Sequence, residues 1–242
     1  MSPPRVPPNA RTLVEHLAGG RALPAELHEL EAWLAGSARF RAFVDVNRDK
    51  IRKKLRIATT PDTRLDLRAE LRIASLLLAD RRFELQFEAY GSGNRGPDFT
   101  ATFRAGRPFN VEVTRRHAAS VGIDRVILGK LRQLPPSVAN VLVIALDSTA
   151  DASPDVEGTM RDLRARADRR DDAWFAARGV SDAATFNQGW LRLAAVLVWA
   201  DATSHADRWA NAGARISAPN GAVDAILAAL ETPEGQRGPT SS

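Results

Sequence analysis

The sequence predicts an α/β protein with a mixed central sheet, and three observations carry that reading. Between Phe83 and Thr114 the stretch FELQFEAYGSGNRGPDFTATFRAGRPFNVEVT strings three short β-type runs together. Val138 to Leu146 is a continuous apolar run of the kind shown by a strand buried on both faces. Helical apolar spacing precedes each: Leu67, Leu71, Ala74, Leu77 and Leu78 before the first, and Ile127, Leu131 and Leu134 before the second.

At 242 residues and 44% hydrophobic content, the chain suffices for one main core and a smaller helical annex. Residues 1–10 carry four prolines and little to bury, so they read as a flexible tail. Residues 11–60 form the annex, with Leu27, Leu30, Leu34, Phe40, Phe43 and Val44 at three-to-four spacing. Residues 61–217 make the α/β core. Within it, 151–189 is charged and mostly helical; RDLRARADRRDD looks too polar for a core and reads as a lid or solvated excursion. Leu191 to Trp199 is a further strand because VLVW echoes VLVI, and Trp209 to Ile216 reads as loop. Residues 218–242 supply a closing helix, Gly221 to Leu230, and a disordered tail.

In the central stretch, Phe83, Leu85, Phe87 and Ala89 alternate with Glu84, Gln86, Glu88 and Tyr90, the period of a strand with one apolar face. GSGNRG interrupts it, Asp98 to Phe103 resumes, Ala105-Gly106 turns, and Phe109 to Thr114 returns as a hairpin partner. A register setting Asp98 opposite Thr114 puts Thr100 opposite Glu112 and all four side chains on one face. Glu112 stands between Val111 and Val113, so it emerges on the face opposite those valines. Two carboxylates on one sheet face suit a hard cation, which takes oxygen ligands and leaves positions for water and phosphate. Gly91, Gly93 and Gly96 formally spell GxGxxG, but Pro97 and a β-type run follow where a dinucleotide site needs a helix N-terminus.

Gly96-Pro97-Asp98 followed by Val111-Glu112-Val113-Thr114, with Glu70 on the helix upstream, resembles the PD-(D/E)xK nuclease superfamily. The resemblance covers roughly residues 62–147, with a later fifth strand. It implies a restriction-endonuclease-like core in the order helix, three strands, helix, strand, further strand. It further implies Mg²⁺-dependent, or Mn²⁺-dependent, hydrolysis of phosphodiester bonds in DNA, with Asp98, Glu112 and Glu70 as metal ligands. Glu70 has an alternative as a solvent-facing partner of a neighbouring arginine. The motif lysine position holds Thr114, whose hydroxyl carries no positive charge. Lys130, immediately beside the apolar stripe of the following helix, is the preferred substitute. Thr114, Gln133, Arg115 and Glu88 are secondary candidates, and Arg116 is a further nearby cation. The competing class is a nucleic-acid-binding or scaffolding protein that keeps the fold without turnover.

The net charge of +5 comes almost entirely from arginine, since Lys50, Lys53, Lys54 and Lys130 are the only lysines. The first three surround the Ile51–Leu55 stripe and read either as a solvated face or as a phosphate-contacting one. Nucleic acid is the expected partner, a homodimer is left open, and any nucleotide-driven partner is a separate protein because no GxxxxGK[ST] occurs. Absence of cysteine excludes disulfides and thiolate metal sites. His16, His28, His117 and His205 lack paired metal spacing, which argues against zinc chemistry. No apolar run reaches membrane-spanning length and no signal-peptide pattern opens the chain, so a cytoplasmic location is expected.

Overall fold

The computed structural model describes residues 9–89, 96–118, 121–146 and 154–232. The chain forms two compact units divided after Arg81. In the first, α1 (Ala10–Ala18) begins inside the stretch expected to be tail, because Asn9 caps it by accepting from the Thr12 N–H at 2.8 Å. Helices α2 (Leu30–Gly36), α3 (Ala38–Ile57) and α4 (Pro61–Ala79) follow. Ser37 caps α3, and a Thr60/Thr63 capping box with Pro61 in the first turn starts α4. Leu13, Leu17, Leu30, Leu34, Phe40, Val44 and Ile51 are buried there. Among the described residues no helix is long and apolar enough to cross a membrane.

The second unit is built on a six-stranded mixed sheet in the spatial order of the sequence. Its strands are β1 (Phe83–Phe87), β2 (Phe99–Phe103), β3 (Phe109–Arg116), β4 (Asn140–Leu146), β5 (Leu193–Ala200) and β6 (His205–Ala210). The β1–β2, β2–β3 and β5–β6 pairs are antiparallel, while β3, β4 and β5 run parallel. Helix α5 (Ile123–Leu131) makes the crossover from β3 to β4. Helices α6 (Val156–Asp168), α7 (Asp172–Ala176) and α8 (Ala183–Trp190) make the one from β4 to β5, and α9 (Ala222–Glu231) closes the unit.

Two expectations are corrected. The charged segment 151–189, where described, is part of the core rather than a lid: Val156, Met160, Leu163, Phe175 and Phe186 pack with α5 on Leu142, Ile144, Val196 and Val198. A narrow apolar stripe suffices for this, since the arginine stems leave their charges at the surface. The run expected as loop from Trp209 is still strand through Ala210, where the Trp209 ring meets Trp190 with centroids 4.7 Å apart. The expected glycine-rich loop (91–95) and the two chain ends (1–8 and 233–242) lie outside the described residues.

Candidate active site

The β2–β3 hairpin pairs Phe99 with Val111, Thr100 with Asn110 and Ala101 with Phe109. Extending that register sets Asp98 opposite Glu112, and the expected Asp98–Thr114 pairing is corrected by two residues. The cause is the turn, in which Arg104 and Ala105 both take the left-handed conformation, at φ 51 and 53°. Its centre thus falls one residue earlier than an Ala105-Gly106 turn would put it. A shift of two preserves the pleat, so Asp98, Thr100, Glu112 and Thr114 still share a face.

Asp98 stands where β2 parts from β3. Its main-chain carbonyl accepts from the Glu88 N–H at 2.9 Å, and its Oδ2 accepts from the Val113 N–H at 2.9 Å. The carboxylate thereby takes over from the ladder at the point where β2 stops supplying main-chain acceptors. Glu88 contributes its backbone here and sits at φ 44°, which ends the alternation of β1. Glu112 has only 6% of its surface exposed, and Lys130 Nζ donates to its Oε1 at 2.6 Å. Helix α5 delivers this lysine. Ile123, Ile127, Leu128 and Leu131 are buried beneath the helix, and Lys130, between two of them, lies partly exposed over β3.

Beside this pair runs a polar ladder that the sequence reading missed. Thr100 Oγ1 donates to Asn110 Oδ1 at 3.3 Å, and Asn110 Nδ2 donates to Asn140 Oδ1 at 2.9 Å. Asn140 Nδ2 in turn faces the carbonyls of Pro135, Val138 and Arg192, each at 2.9 Å. Asn110 and Asn140 are fully buried and directly paired between the parallel strands. The available signal was the shared Asn-Val start of the two strands, Asn110-Val111 and Asn140-Val141. Toward β1 the same face opens to solvent at Glu84 and Gln86, whereas toward β4 and β5 the helices bury it. Glu112 therefore stands at the margin between a covered and an open sheet surface.

The remaining candidates divide. Thr114 is on Glu112's face and partly exposed. Strand alternation turns Arg115 to the opposite face, where its Nη2 lies 3.4 Å from His117 Nδ1, so Arg116 is the arginine that shares the face with Glu112. Gln133 is exposed just past α5, its amide 3.5 Å from the Gly129 carbonyl. Glu70 is on α4 in the first unit, where its Oε2 meets Lys54 Nζ at 2.6 Å; the expected partner type was arginine. Lys50 and Lys53 are exposed on α3.

As a donor set, Asp98 and Glu112 offer hard carboxylate oxygens, and among the described residues no group of three or more His, Cys, Asp or Glu side chains converges. That set fits Mg²⁺ or Mn²⁺, which bind through one or two carboxylates plus water and substrate phosphate in phosphoryl-transfer sites. No family model, curated protein or solved structure matches this chain.

Proposed function

We propose that the chain is a metal-dependent nuclease hydrolysing phosphodiester bonds in DNA, on a core of restriction-endonuclease type. One observation carries the reading: Lys130 Nζ lies 2.6 Å from Glu112 Oε1, on the face where Asp98 stands across from Glu112. Two carboxylates and one ammonium are the groups this chemistry needs, and here the ammonium comes from α5. The element order of helix, three strands, helix, strand and further strand supports the same reading. Asp98 and Glu112 would hold Mg²⁺ or Mn²⁺, which when bound polarises a phosphoryl oxygen and acidifies a water. Lys130 supplies the fixed positive charge that Thr114 cannot, and stabilises negative charge gathering on the phosphoryl oxygens. The Val113 N–H holds Asp98 in orientation through Oδ2. Phosphate enters over the open part of the face, past Gln86 and Thr100.

The test is cleavage of plasmid, single-stranded DNA and RNA with Mg²⁺, Mn²⁺ or EDTA. Asp98→Asn abolishes cutting, and Lys130→Ala lowers the rate by ~10²-fold or more with folding intact. A second reading, a binding protein on a retired site, is favoured by Thr114 at the motif lysine position and by the structural use of Asp98 at the strand end. Wild-type protein that binds DNA and never cuts it under any metal, with cutting restored by Thr114→Lys, selects that reading. Normal cutting by Asp98→Asn refutes the nuclease proposal.

A further inference from the structure

The first unit holds a groove of about 780 Å³ among α1, α3 and the segments that follow each of them. Its charge is one-sided: Arg21, Arg52, Lys53, Arg56 and Arg64 line it against a single carboxylate, Asp49. Asp49 is itself engaged by His16, Nε2 to Oδ1 at 3.0 Å. Arg64 belongs to the wall, donating to the Ala58 and Thr59 carbonyls at 3.1 and 3.2 Å. Arg21, Arg52 and Arg56 make no ion pair among the described residues. Of the three lysines singled out in the sequence, only Lys53 lines the groove, while Lys54 meets Glu70.

A simpler account exists for part of this cluster. Arg52 passes close to the end of α1, where a methyl on Gly19 would come within 3.0 Å of its Nη2, and Arg56 is in the last turn of α3. Cations there offset the negative ends of two helices. That account leaves Arg21 unexplained, and it does not require an open groove.

We infer that this groove grips the sugar-phosphate backbone of duplex nucleic acid, independently of sequence. The inference rests on the nuclease reading only in naming a nucleic acid as the polyanion. Arg52 and Arg56, four residues apart, are offset about 6 Å along the helix axis. Phosphates two steps apart on one strand are offset by about 7 Å along the duplex axis, at about 3.4 Å per step, so the two guanidinium groups match that spacing. No aromatic residue lines the groove, so it lacks the stacking platform by which proteins hold single strands. Contacts of this kind position the duplex and carry no base information.

The experiment is fluorescence anisotropy with a 20-base-pair duplex and a single strand of equal length, in EDTA so that nothing is cut, across a salt series. Arg21→Gln/Arg52→Gln/Arg56→Gln is compared with Arg11→Gln/Arg161→Gln/Arg208→Gln, which removes the same charge elsewhere. The groove triple should flatten the plot of log affinity against log salt by about 2–3, at roughly 0.9 per lost phosphate contact, and the control triple by less than about 1. Thermal melting checks folding, and Arg21→Gln/Lys53→Gln, which leaves Arg52 and Arg56 in place, gives the same test if the triple does not fold. Equal slopes for both triples overturn the inference, as does a wild-type preference for single strands or for anionic vesicles over duplex. Because binding is read without metal, a chain that grips duplex through the groove but never cuts loses only the nuclease reading. One that cuts while the groove triple binds normally loses only the groove.

Discussion

Replacing Lys130 by Met keeps the aliphatic stem that lies over β3 and removes only the ammonium held by Glu112. The side chains are 25% and 8% exposed, so the pair is neither a surface ion pair nor a fully buried one. Exposed pairs contribute about 0–1 kcal/mol, and removing one partner of a buried pair costs about 3–5 kcal/mol. With the carboxylate almost out of water and the lysine a quarter in it, Lys130→Met is expected to destabilise by ~2 kcal/mol, most of it from taking this ammonium away from a buried carboxylate. In a chain of this size that lowers Tm by about 4–8 °C. Glu112→Gln/Lys130→Met should recover at least about half of the loss, because the buried carboxylate charge is removed together with the ammonium.

Urea unfolding followed by tryptophan fluorescence suits the measurement, since four of the five tryptophans, Trp174, Trp190, Trp199 and Trp209, are in the second unit with the pair. Added Mg²⁺ gives a second readout. If Lys130 and the ion compete for Glu112, Mg²⁺ should raise the Tm of Lys130→Met more than that of wild type, and should leave Asp98→Asn unmoved. A Lys130→Met protein within about 0.5 kcal/mol of wild type, uncoupled to Glu112→Gln and shifted by Mg²⁺ only as wild type is, refutes the reasoning.

Three other expectations concern the scaffold. Asn140→Leu strands the Pro135, Val138 and Arg192 carbonyls and the Asn110 amide, and should cost about 3 kcal/mol by urea unfolding, with Asn110→Leu adding little once Asn140 is gone. At Ala105, held at φ 53°, glycine should be neutral to slightly stabilising, while valine should lose about 1–2 kcal/mol; equal Tm values for the two would refute the turn assignment. Asp182 caps α8 by accepting from the Thr185 backbone N–H at 2.7 Å, and that bond, followed by the Thr185 hydroxyl, lowers its pKa below the usual aspartate value. Its contribution is therefore present above the unfolded-state pKa near about 4 and is lost as pH falls through the depressed folded value. Asp182→Asn should flatten the acid limb of the stability curve, and an unchanged limb argues against the cap.

The sheet was legible where its signal is periodic. Alternation marked β1 to β3, and continuous apolar runs marked β4 and β5. Register depended on one turn, and left-handed Arg104 and Ala105 carry no compositional flag; the two-residue error left the carboxylates on one face because strand parity is insensitive to it. Helix α6 was misread because Met160, Leu163 and Ala167 form a stripe too narrow to register against so many arginines. Strand β6 escaped because an edge strand buries little, and among its residues only Ala206 is buried. Lys130 was legible because its position beside the α5 stripe confines it to the margin of the sheet. Asn110 and Asn140 were not, since an asparagine inside an apolar run gives no hint of which strand its amide will meet.

An ammonium borne by α5 rather than by position 114 of β3 changes what holds the candidate site in shape. A lysine at position 114 would be placed by strand pleating alone, two residues from Glu112 on the same face. Lys130 instead depends on how α5 is seated, and that seat is shared with α8: a methyl on Gly189 would come within 2.8 Å of Leu131 Cβ and 3.3 Å of the Leu131 carbonyl oxygen. Leu131 is the residue next to Lys130, so the close approach of α8 limits how far the ammonium can move from Glu112. The same crossover that buries Phe186 and Trp190 against the sheet therefore also bears on where α5 carries the Lys130 backbone. Interiors packed this closely respond to added volume by shifting whole elements rather than by local compression. On this geometry the charged segment between β4 and β5 acts on the candidate site through packing, although none of its side chains needs to reach it.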